Sequence, residues 1–429
     1  MRDRPNILLV MTDQQRADTL GCLGAVHVAT PNLDGLAARG ILFQRAFTPI
    51  PICSPARASL WTGLHPHRHR VEDNVYSTPD GLTGSEGPTV FPDLQAAGYR
   101  STYIGKWHLG KLGPPGLEQW LGYNSGRPHW IEQVDGTRLY RPVVETDQAI
   151  SVLARHDRSH PFFLVVSYYP PHAPYDPPEP YRAAHAAAPR PGYYGAVRAI
   201  DDCVGRLVDA IDRLGFAGDT AILFCSDHGQ RMVKGEDSVM KRDLGEESIR
   251  IPLILVPPGG PQAGARTSGH LVGLMDVAPT LRALAGLPTH PGLPTHPGLP
   301  VHPGLGPSAS LLPLLDGDAR PWRTAMLFHN RSRGDREGGG IARSERAVRT
   351  ADAKLIWRRD GRPSLYDLRA DPNEHHDRMC DATPPRGPLR RLAKLMRSLG
   401  EEAGDGLAID AAERILAATA QSAVPRLSD

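Results

Sequence analysis

The chain has 429 residues, a length that allows one large domain with a smaller one, or two to three ordinary domains. Lysine and arginine number 49 and aspartate and glutamate number 47, so the formal charge is +2. This balance argues against a protein whose main partner is nucleic acid or an acidic membrane surface. The five cysteines are scattered and form no CxxC pair, which argues against a disulfide framework or a zinc ribbon.

The first apolar run, Ile7 to Met11, is typical of a buried strand, and Asp13 follows it at once. Five residues are too few for the apolar core of a signal peptide. No window of the sequence approaches the ~18–20 apolar residues of a membrane span. The sequence therefore predicts no membrane association and a cytoplasmic location.

Short apolar runs alternate with helical patterns through residue 285. Strands are predicted over residues 99–104, 162–169, 220–225 and 251–256, and helices over residues 31–39, 91–97, 149–156, 194–214 and 276–285. Such alternation favours an α/β fold with a mostly parallel sheet that is flanked by helices.

A hexapeptide repeat with two prolines in each unit breaks this pattern at residues 286–305. Paired prolines cannot continue a helix or a central strand, so we expect an extended surface loop. Metal binding by its histidines, at positions 290, 296 and 302, is the alternative.

The C-terminal part has a different texture, with short strand-like pieces, a hairpin signal at Asp360-Gly361 and a basic amphipathic helix over residues 388–402. A last helix is predicted over residues 410–420. We therefore divide the chain into an α/β domain, residues 1–325, and a smaller α+β domain, residues 326–429.

Polar side chains follow two of the predicted strands directly. Asp13 and Gln14 come after the first strand, and Asp227 and His228 come after the strand at 220–225. Ligands of open α/β sheets gather beyond the carboxyl ends of strands. Oxygen-rich sites suit Ca²⁺ or Mg²⁺, so these residues predict a metal site, with a helix cap and a turn as the alternatives.

The segment at residues 51–63 contains Cys53 just ahead of a predicted helix, because Pro55 suits the first turn of a helix. Unpaired amides and the helix dipole favour an anion at that point. Arg57 can fold back over the same place. A nucleophile at an anion-binding helix start is suited to attack on a sulfate or a phosphate, although a cysteine in a proline-rich turn is the plain alternative.

The motif Cys-Ser-Pro-Ala-Arg at residues 53–57, followed by Ala-Ser-Leu-Trp-Thr-Gly, resembles the signature of the type I sulfatases of the alkaline phosphatase superfamily. In that family a separate enzyme oxidises the cysteine to formylglycine. Further blocks that look like the family lie at residues 30–34, 105–110, 170–175, 246–252 and 365–374. The resemblance covers nearly the whole chain except the repeat and the last ~30 residues.

The resemblance implies an alkaline-phosphatase-like α/β domain with a smaller C-terminal α+β domain. It also implies a divalent metal, usually Ca²⁺ with Mg²⁺ or Mn²⁺ as alternatives. The residues that would hold the metal are Asp13, Gln14, Cys53 (as formylglycine), Asp227 and His228. The catalytic residues that it implies are Cys53, Arg57, Lys106, His108, His172 and Lys241.

The implied mechanism uses both hydroxyls of the hydrated aldehyde. One hydroxyl attacks sulfur while the cations neutralise the anionic ester, and His172, with Lys241, protonates the leaving alcohol. The other hydroxyl then loses its proton to His108, and the intermediate collapses to release sulfate. Lys106 and His108 occupy alternate positions at a predicted strand end, so we expect their side chains to share a face.

The chain departs from the family pattern at two places. The stretch ahead of Lys241 reads Gly-Glu-Asp-Ser-Val-Met where the family has Gly-Asp-His with a tryptophan, so Lys234 and Arg242 are alternatives to this lysine. Gln14 stands where many members have aspartate, as in bacterial sulfatases and the related phosphonate monoester hydrolases.

We therefore expect a sulfatase that acts on a small-molecule or saccharide sulfate ester after maturation by a formylglycine-generating enzyme. A phosphonate monoester or phosphodiester hydrolase of the same superfamily is the first alternative. A catalytically inactive anion- or metal-binding homologue is the second.

Overall fold

The structure is a computed structural model that describes residues 4–76, 89–232, 239–240, 243–260, 266–289, 308–315, 322–330, 344–358 and 360–420. The predicted repeat loop lies outside the described residues from position 290 onward, and so do Lys241 and its alternatives Lys234 and Arg242.

The strands, in chain order, are β1 (Asn6–Thr12), β2 (Ile41–Phe47), β3 (Arg100–Lys106), β4 (Gln119–Tyr123), β5 (Trp130–Glu132), β6 (Arg138–Tyr140), β7 (Phe162–Ser167), β8 (Thr220–Ser226), β9 (Arg231–Met232), β10 (Val239–Met240), β11 (Leu253–Val256), β12 (Arg266–Gly273), β13 (Ala325–Asn330), β14 (Glu345–Thr350), β15 (Ala353–Trp357) and β16 (Pro363–Asp367). The helices are α1 (Pro31–Ala38), α2 (Cys53–Thr62), α3 (Pro66–His69), α4 (Val90–Ala96), α5 (Arg141–Ala154), α6 (Glu179–Ala184), α7 (Pro191–Arg213), α8 (Glu246–Ile249), α9 (Val277–Leu284), α10 (Leu312–Leu315), α11 (Arg386–Ala403) and α12 (Gly406–Ala420).

An eight-stranded sheet in the order β12-β2-β11-β8-β1-β7-β3-β4 forms the centre of the molecule. Its neighbours run parallel except β11, which is antiparallel to both β8 and β2. Along β1, Ile7 and Leu9 pack into the core on one face of the sheet, and Leu8 and Val10 pack into the core on the other. A strand that is buried on both faces reads as a continuous apolar run, and the predicted mostly parallel, helix-flanked sheet is confirmed.

One local prediction is wrong in detail, and one direction in the sheet was not predicted. Helix α5 begins at Arg141 rather than at residue 149, with Pro142 in its first turn. Glu145 and Thr146 are buried in this helix, and such polar residues on the inner face conceal its apolar period. The antiparallel direction of β11 is set by how the chain returns to the sheet, which the apolar run itself does not encode.

A second sheet, β13-β14-β15-β16, is antiparallel and belongs to the C-terminal part of the chain. One of its faces is covered by α11 and α12, where Leu392 and Met396 join Leu355 in a buried cluster. The other face packs Phe328 and Ile356 into a cluster with Phe47 of β2. The predicted α+β part is therefore present, while the boundary between residues 325 and 326 stays a prediction.

None of the helices in the described part of the chain combines the length and the apolar character that crossing a bilayer requires.

Candidate active site

Four central strands end at the same edge of the large sheet. Thr12 at the end of β1 pairs with Ser226 at the end of β8, and Met11 pairs with Ser167 at the end of β7. Gly105 of β3 pairs with Ser167 as well. Because parallel strands present their carboxyl ends together, the residues that follow them converge at this edge.

Helix α2 places Cys53 at the sheet edge where these four strands end. The helix begins at Cys53 itself, with the extended residue Ile52 as its cap, so the predicted position just ahead of the helix is off by one residue. The Cys53 Sγ lies 3.2 Å from His228 Nε2 and 3.7 Å from Asp13 Oδ1. The thiol therefore stands at the positive end of the helix dipole, while the Ser54 amide beside it donates to Asn74 Oδ1 at 3.1 Å.

The Arg57 guanidinium, one turn into α2, joins the strand ends and is fully buried. It donates to Asp13 Oδ2 and Asp227 Oδ2, each at 3.0 Å. It also donates to the Lys106 carbonyl oxygen at 2.6 Å and to Ser167 Oγ at 2.9 Å. Burial opposes the charge, but the Asp227 and Asp13 carboxylates raise the pKa of Arg57 above its ordinary value.

Lys106 ends β3 and points its ammonium group to Asp13 Oδ2 at 2.6 Å. The ammonium also lies 4.2 Å from the centroid of the Tyr169 ring, a cation–π contact. Gly105 before it has a φ of +94°, and a Cβ there would meet the Ser167 carbonyl oxygen at 2.2 Å. Glycine is therefore required for β3 to approach β7 and to present Lys106 to the site.

The oxygen atoms around Cys53 fit a hard divalent cation. Gln14, at a φ of +70°, donates its amide nitrogen to Asp227 Oδ1 at 3.0 Å and its side-chain nitrogen to Gln230 Oε1 at 2.7 Å. Its buried Oε1 has no hydrogen-bond partner among the described residues. Asp13, Cys53, Asp227 and His228 offer ligand atoms within 4.8 Å of one another. Two carboxylates, an amide oxygen and an imidazole match the preference of Ca²⁺ and Mg²⁺ for oxygen.

The two carboxylates shift the pKa values of their neighbours in this cluster. Burial raises the pKa of Asp227, and the Asp13 charge raises it further. For His228, burial lowers the pKa, but the carboxylate of Asp227 and the charges of Cys53 and Asp13 outweigh it and raise the pKa to about 9. His228 Nδ1 lies 2.7 Å from the Gly229 carbonyl oxygen, which turns Nε2 toward Cys53. A bound cation would satisfy the two carboxylates together.

The two predicted histidines take different places. His172 is half-buried, and its ring lies 4.8 Å from that of Tyr169, so one aromatic ring separates it from Lys106. His108 is buried, with its carbonyl oxygen accepting from Ser54 Oγ. The expected shared strand face of Lys106 and His108 is wrong, because β3 ends at Lys106 and His108 adopts a φ of +60°.

Three residues that contact the candidate site escaped the sequence-based prediction. Ser167 ends the apolar run of β7, so the rule that found Asp13 also points to it. Gln230 follows Asp227 closely and accepts hydrogen bonds from Gln14 and, at 2.9 Å, from Tyr175 Oη. Tyr169 gives no sequence signal, because its role depends on the cation that packs on its ring.

Comparison with known proteins places these observations in a family. The sulfatase family model matches residues 5–287, and the model of the C-terminal part of N-sulphoglucosamine sulphohydrolase matches residues 236–386. The chain is 31% identical to human N-acetylgalactosamine-6-sulfatase over 330 residues, which cover 66% of this chain and 62% of that protein. It is 28% identical to the uncharacterized sulfatase YidJ of Escherichia coli over 445 residues, which cover 88% and 84% of the two chains. The match thus spans less than two thirds of the human relative.

Solved structures show the same fold. The structure of BT4656 in complex with its substrate D-glucosamine-2-N,6-O-disulfate has a TM-score of 0.75 at 21% identity and covers 94% of this chain and 99% of its own. The phosphonate monoester hydrolase of Agrobacterium radiobacter also has a TM-score of 0.75, at 24% identity, with 93% and 96% coverage. The fold therefore does not distinguish these two activities. The sulfatase family model covers well over half of the sequence, and the chain belongs to the sulfatase family.

Proposed function

We propose that the protein is a sulfuric ester hydrolase that cleaves a sulfate ester into an alcohol and inorganic sulfate. The observation that carries this proposal is the position of Cys53, at a helix start within 3.2 Å of His228 and 3.7 Å of Asp13, with Arg57 buried beneath it. The relatives support the same reaction, because they are named as sulfatases.

We assign the metal to Asp13, Gln14, Asp227 and His228 together with residue 53, and Ca²⁺ suits this mainly oxygen donor set. Bound there, the ion would polarise a sulfate oxygen and offset the charge that develops during transfer. Conversion of Cys53 to formylglycine by a separate generating enzyme would supply a hydroxyl nucleophile in place of the thiol.

The chain's own cations prepare the site for an anion. Lys106 reaches in from β3 and is fixed by Asp13 and by the Tyr169 ring, so it meets the sulfate without reorganising. Arg57 donates hydrogen bonds to Asp13 and Asp227, and this fixes the distance between the two carboxylates. We infer that Arg57 holds the metal ligands and residue 53 in place and that Lys106 carries the direct contact with sulfate.

We assign proton transfer to the two histidines, His172 and His108. His172 is the half-buried one, next to Tyr169, and therefore suits protonation of the departing alcohol, which leaves toward solvent. His108 is tied to α2 through the bond from Ser54 Oγ to its carbonyl oxygen, beside residue 53, and suits removal of a proton there. The role of Lys241 beside His172 remains part of the proposal.

A sulfated sugar is the substrate class that the relatives favour. Their names include N-acetylgalactosamine-6-sulfatase and ulvan-active sulfatase. The exposed ring of Tyr76 meets the His108 ring edge-on at 5.7 Å, so an aromatic surface borders the site where a sugar ring could stack.

The test is sulfate release by protein produced together with a formylglycine-generating enzyme. Sulfated monosaccharides, an aryl sulfate and an aryl phosphodiester are compared at equal concentration with Ca²⁺ present. We expect the sulfated sugars and the aryl sulfate to be hydrolysed faster than the phosphodiester. A faster phosphodiester reaction would contradict the proposal and favour the phosphonate monoester and phosphodiester activity.

Matched cysteine variants test the nucleophile. Cys53→Ala should abolish turnover without lowering the melting temperature, whereas Cys22→Ala, at an exposed thiol, should keep both. Mass spectrometry of the peptide with residue 53 reports the conversion. Turnover that survives Cys53→Ala would refute the assignment, and an unconverted thiol with no turnover would support the binding-protein alternative.

A further inference from the structure

A second group of metal-ligating side chains lies at the far end of α2, where the C-terminal sheet meets the rest of the molecule. His65 and His67 flank the first residue of α3, His329 lies on β13, and Asp405 lies in the turn between α11 and α12. Cys53 is at the opposite end of α2, and a ten-residue helix is ~15 Å long, so this group is separate from the candidate active site.

The three imidazoles converge. Ring centroids are 5.1 Å apart for His67 and His329, 5.4 Å for His65 and His329, and 5.7 Å for His65 and His67. Ligand atoms of His67, His329 and Asp405 all lie within 4.8 Å of one another, and the His65 ring borders this set. Zn–N bonds of ~2.0–2.1 Å place the centroids of two imidazoles on one ion about 5 Å apart, so the observed spacing needs little adjustment.

Hydrogen bonds set which ring nitrogens carry lone pairs. His67 Nε2 lies 2.6 Å from the Ala403 carbonyl oxygen, so it is the protonated nitrogen and Nδ1 has the lone pair. His329 Nδ1 lies 3.3 Å from Asp405 Oδ2, which leaves the lone pair on Nε2. A carboxylate behind a histidine in this way is the usual partner of a metal-bound imidazole.

One nitrogen of each ring is buried without a hydrogen-bond partner within the described ranges. These atoms are His65 Nδ1, His67 Nδ1 and His329 Nε2. His65 is 8% exposed and His329 is 3% exposed, so water has little access to hydrogen-bond with these ring nitrogens. Three buried ring nitrogens without a partner in one place are a costly arrangement that a bound cation would relieve.

The surrounding charges favour neutral imidazoles. Burial lowers the pKa of His65, His67 and His329, and the positive charge of Arg346 lowers all three further. Neutral imidazole is the form that binds a metal. Arg346 also donates to both oxygens of Asp405, at 2.5 and 3.2 Å, and this fixes the carboxylate beside His329 Nδ1.

We propose that His65, His67 and His329 bind one divalent transition-metal ion of the Zn²⁺ type, with Asp405 as the residue that orients His329. Imidazole nitrogen suits this class of ion better than Ca²⁺. The ligands come from the N-terminal and C-terminal parts of the chain, so the ion would tie the second sheet to the end of α2. The site carries no role in sulfate hydrolysis and does not depend on the proposed function.

The experiment measures zinc bound to the full chain by elemental mass spectrometry, after chelator treatment and in excess Ca²⁺ so that the first site is occupied. We expect one zinc ion per wild-type chain. His67→Gln combined with His329→Gln should weaken zinc binding by at least about 100-fold, and Asp405→Asn by about 10–100-fold. The Asp227→Asn variant, which is altered at the other site, should keep its zinc.

Two controls separate this group from other histidines. His270→Gln changes an exposed imidazole, and a second control changes positions 290, 296 and 302 of the repeat to Gln. Both should retain the zinc ion. Zinc lost with the repeat variant, or retained in the double variant, would overturn the proposal.

A wild-type measurement covers the case in which the double variant fails to fold. Zinc should raise the melting temperature of the wild-type protein in excess Ca²⁺. Cobalt in its place should give the visible absorption of a tetrahedral Co²⁺ ion. A wild-type chain that binds no zinc and shows no such absorption would also refute the site.

Discussion

At the scale of single residues, Arg57 is the side chain on which the site geometry depends most. Its guanidinium touches two carboxylates, a strand-end carbonyl oxygen and a serine hydroxyl, and none of its surface reaches solvent. Planar forked donors suit such a set, and lysine offers no equivalent. The cysteine motif in which Arg57 stands is therefore a structural unit as well as a chemical one.

We predict that Arg57→Met destabilises the metal-free protein by about 3–5 kcal/mol, because it removes the guanidinium from buried Asp227 and leaves Asp13 with Lys106 alone. Added Ca²⁺ should restore part of the loss. Denaturant unfolding with and without chelator measures the effect. Arg39→Met, which breaks the exposed pair with Asp212, should cost at most about 1 kcal/mol, and equal losses in the two variants would contradict the prediction.

At the scale of the elements, the end of β3 requires a glycine. The left-handed φ and the approach to Ser167 both act at Gly105. Gly98 has a similar φ of +90°, but a Cβ at that position would meet no atom of the described residues within 4 Å. Alanine variants at the two positions therefore distinguish the cost of backbone strain, present at both, from the cost of a steric clash, present only at Gly105.

We predict that Gly98→Ala costs about 1–2 kcal/mol, the strain of a left-handed alanine. Gly105→Ala should cost about 1–3 kcal/mol more, because its Cβ must push β3 from β7. It should also lower turnover, because Lys106 follows directly. Thermal unfolding and sulfate release by the two variants are compared, and equal effects would argue against close strand contact.

The strands and helices of the large sheet show which features the sequence predicts and which features it does not. The run at 162–169 contains β7, which ends at Ser167, and the run at 220–225 lies within β8; both are strands because both their faces are buried. The apolar period over 194–214 follows α7 and passes its last residue, Arg213, by one position. The rule that polar residues after such strands meet at one edge was enough to bring Asp13 and Asp227 together. It could not place His108, because a single left-handed residue past the strand end redirects its side chain.

At the scale of the whole molecule, a buried charge network joins the C-terminal sheet to helix α8, which follows the candidate metal-site residues Asp227 and His228. Glu246 accepts from Arg349 at 3.0 and 3.1 Å and from Lys354 at 3.3 Å. Lys354 also pairs with Glu374 at 2.7 Å, which in turn accepts from the amide of Glu246. Burial would raise the pKa of Glu246, but Lys354 and Arg349 outweigh it and lower the pKa to about 2.

We predict that Glu246→Gln destabilises the protein by about 3–5 kcal/mol at pH 7, because it leaves two buried cations short of a partner. A carboxyl with a lowered folded pKa stabilises above its unfolded value near 4.5 and loses that effect as the pH falls toward 2. The difference from wild type should therefore shrink over that interval. Denaturant unfolding across it, with the exposed Glu401→Gln as control, provides the test, and a constant difference would contradict the prediction.

The complete burial of α2 has a consequence for the order of events in maturation. All ten of its residues, the Cys-Ser-Pro-Ala-Arg motif included, are enclosed by the folded chain. An enzyme that must grip this motif and oxidise its thiol would find no accessible substrate in the finished protein. On the proposed chemistry, conversion of Cys53 has to precede folding, so the speed with which the chain folds sets how many copies become active.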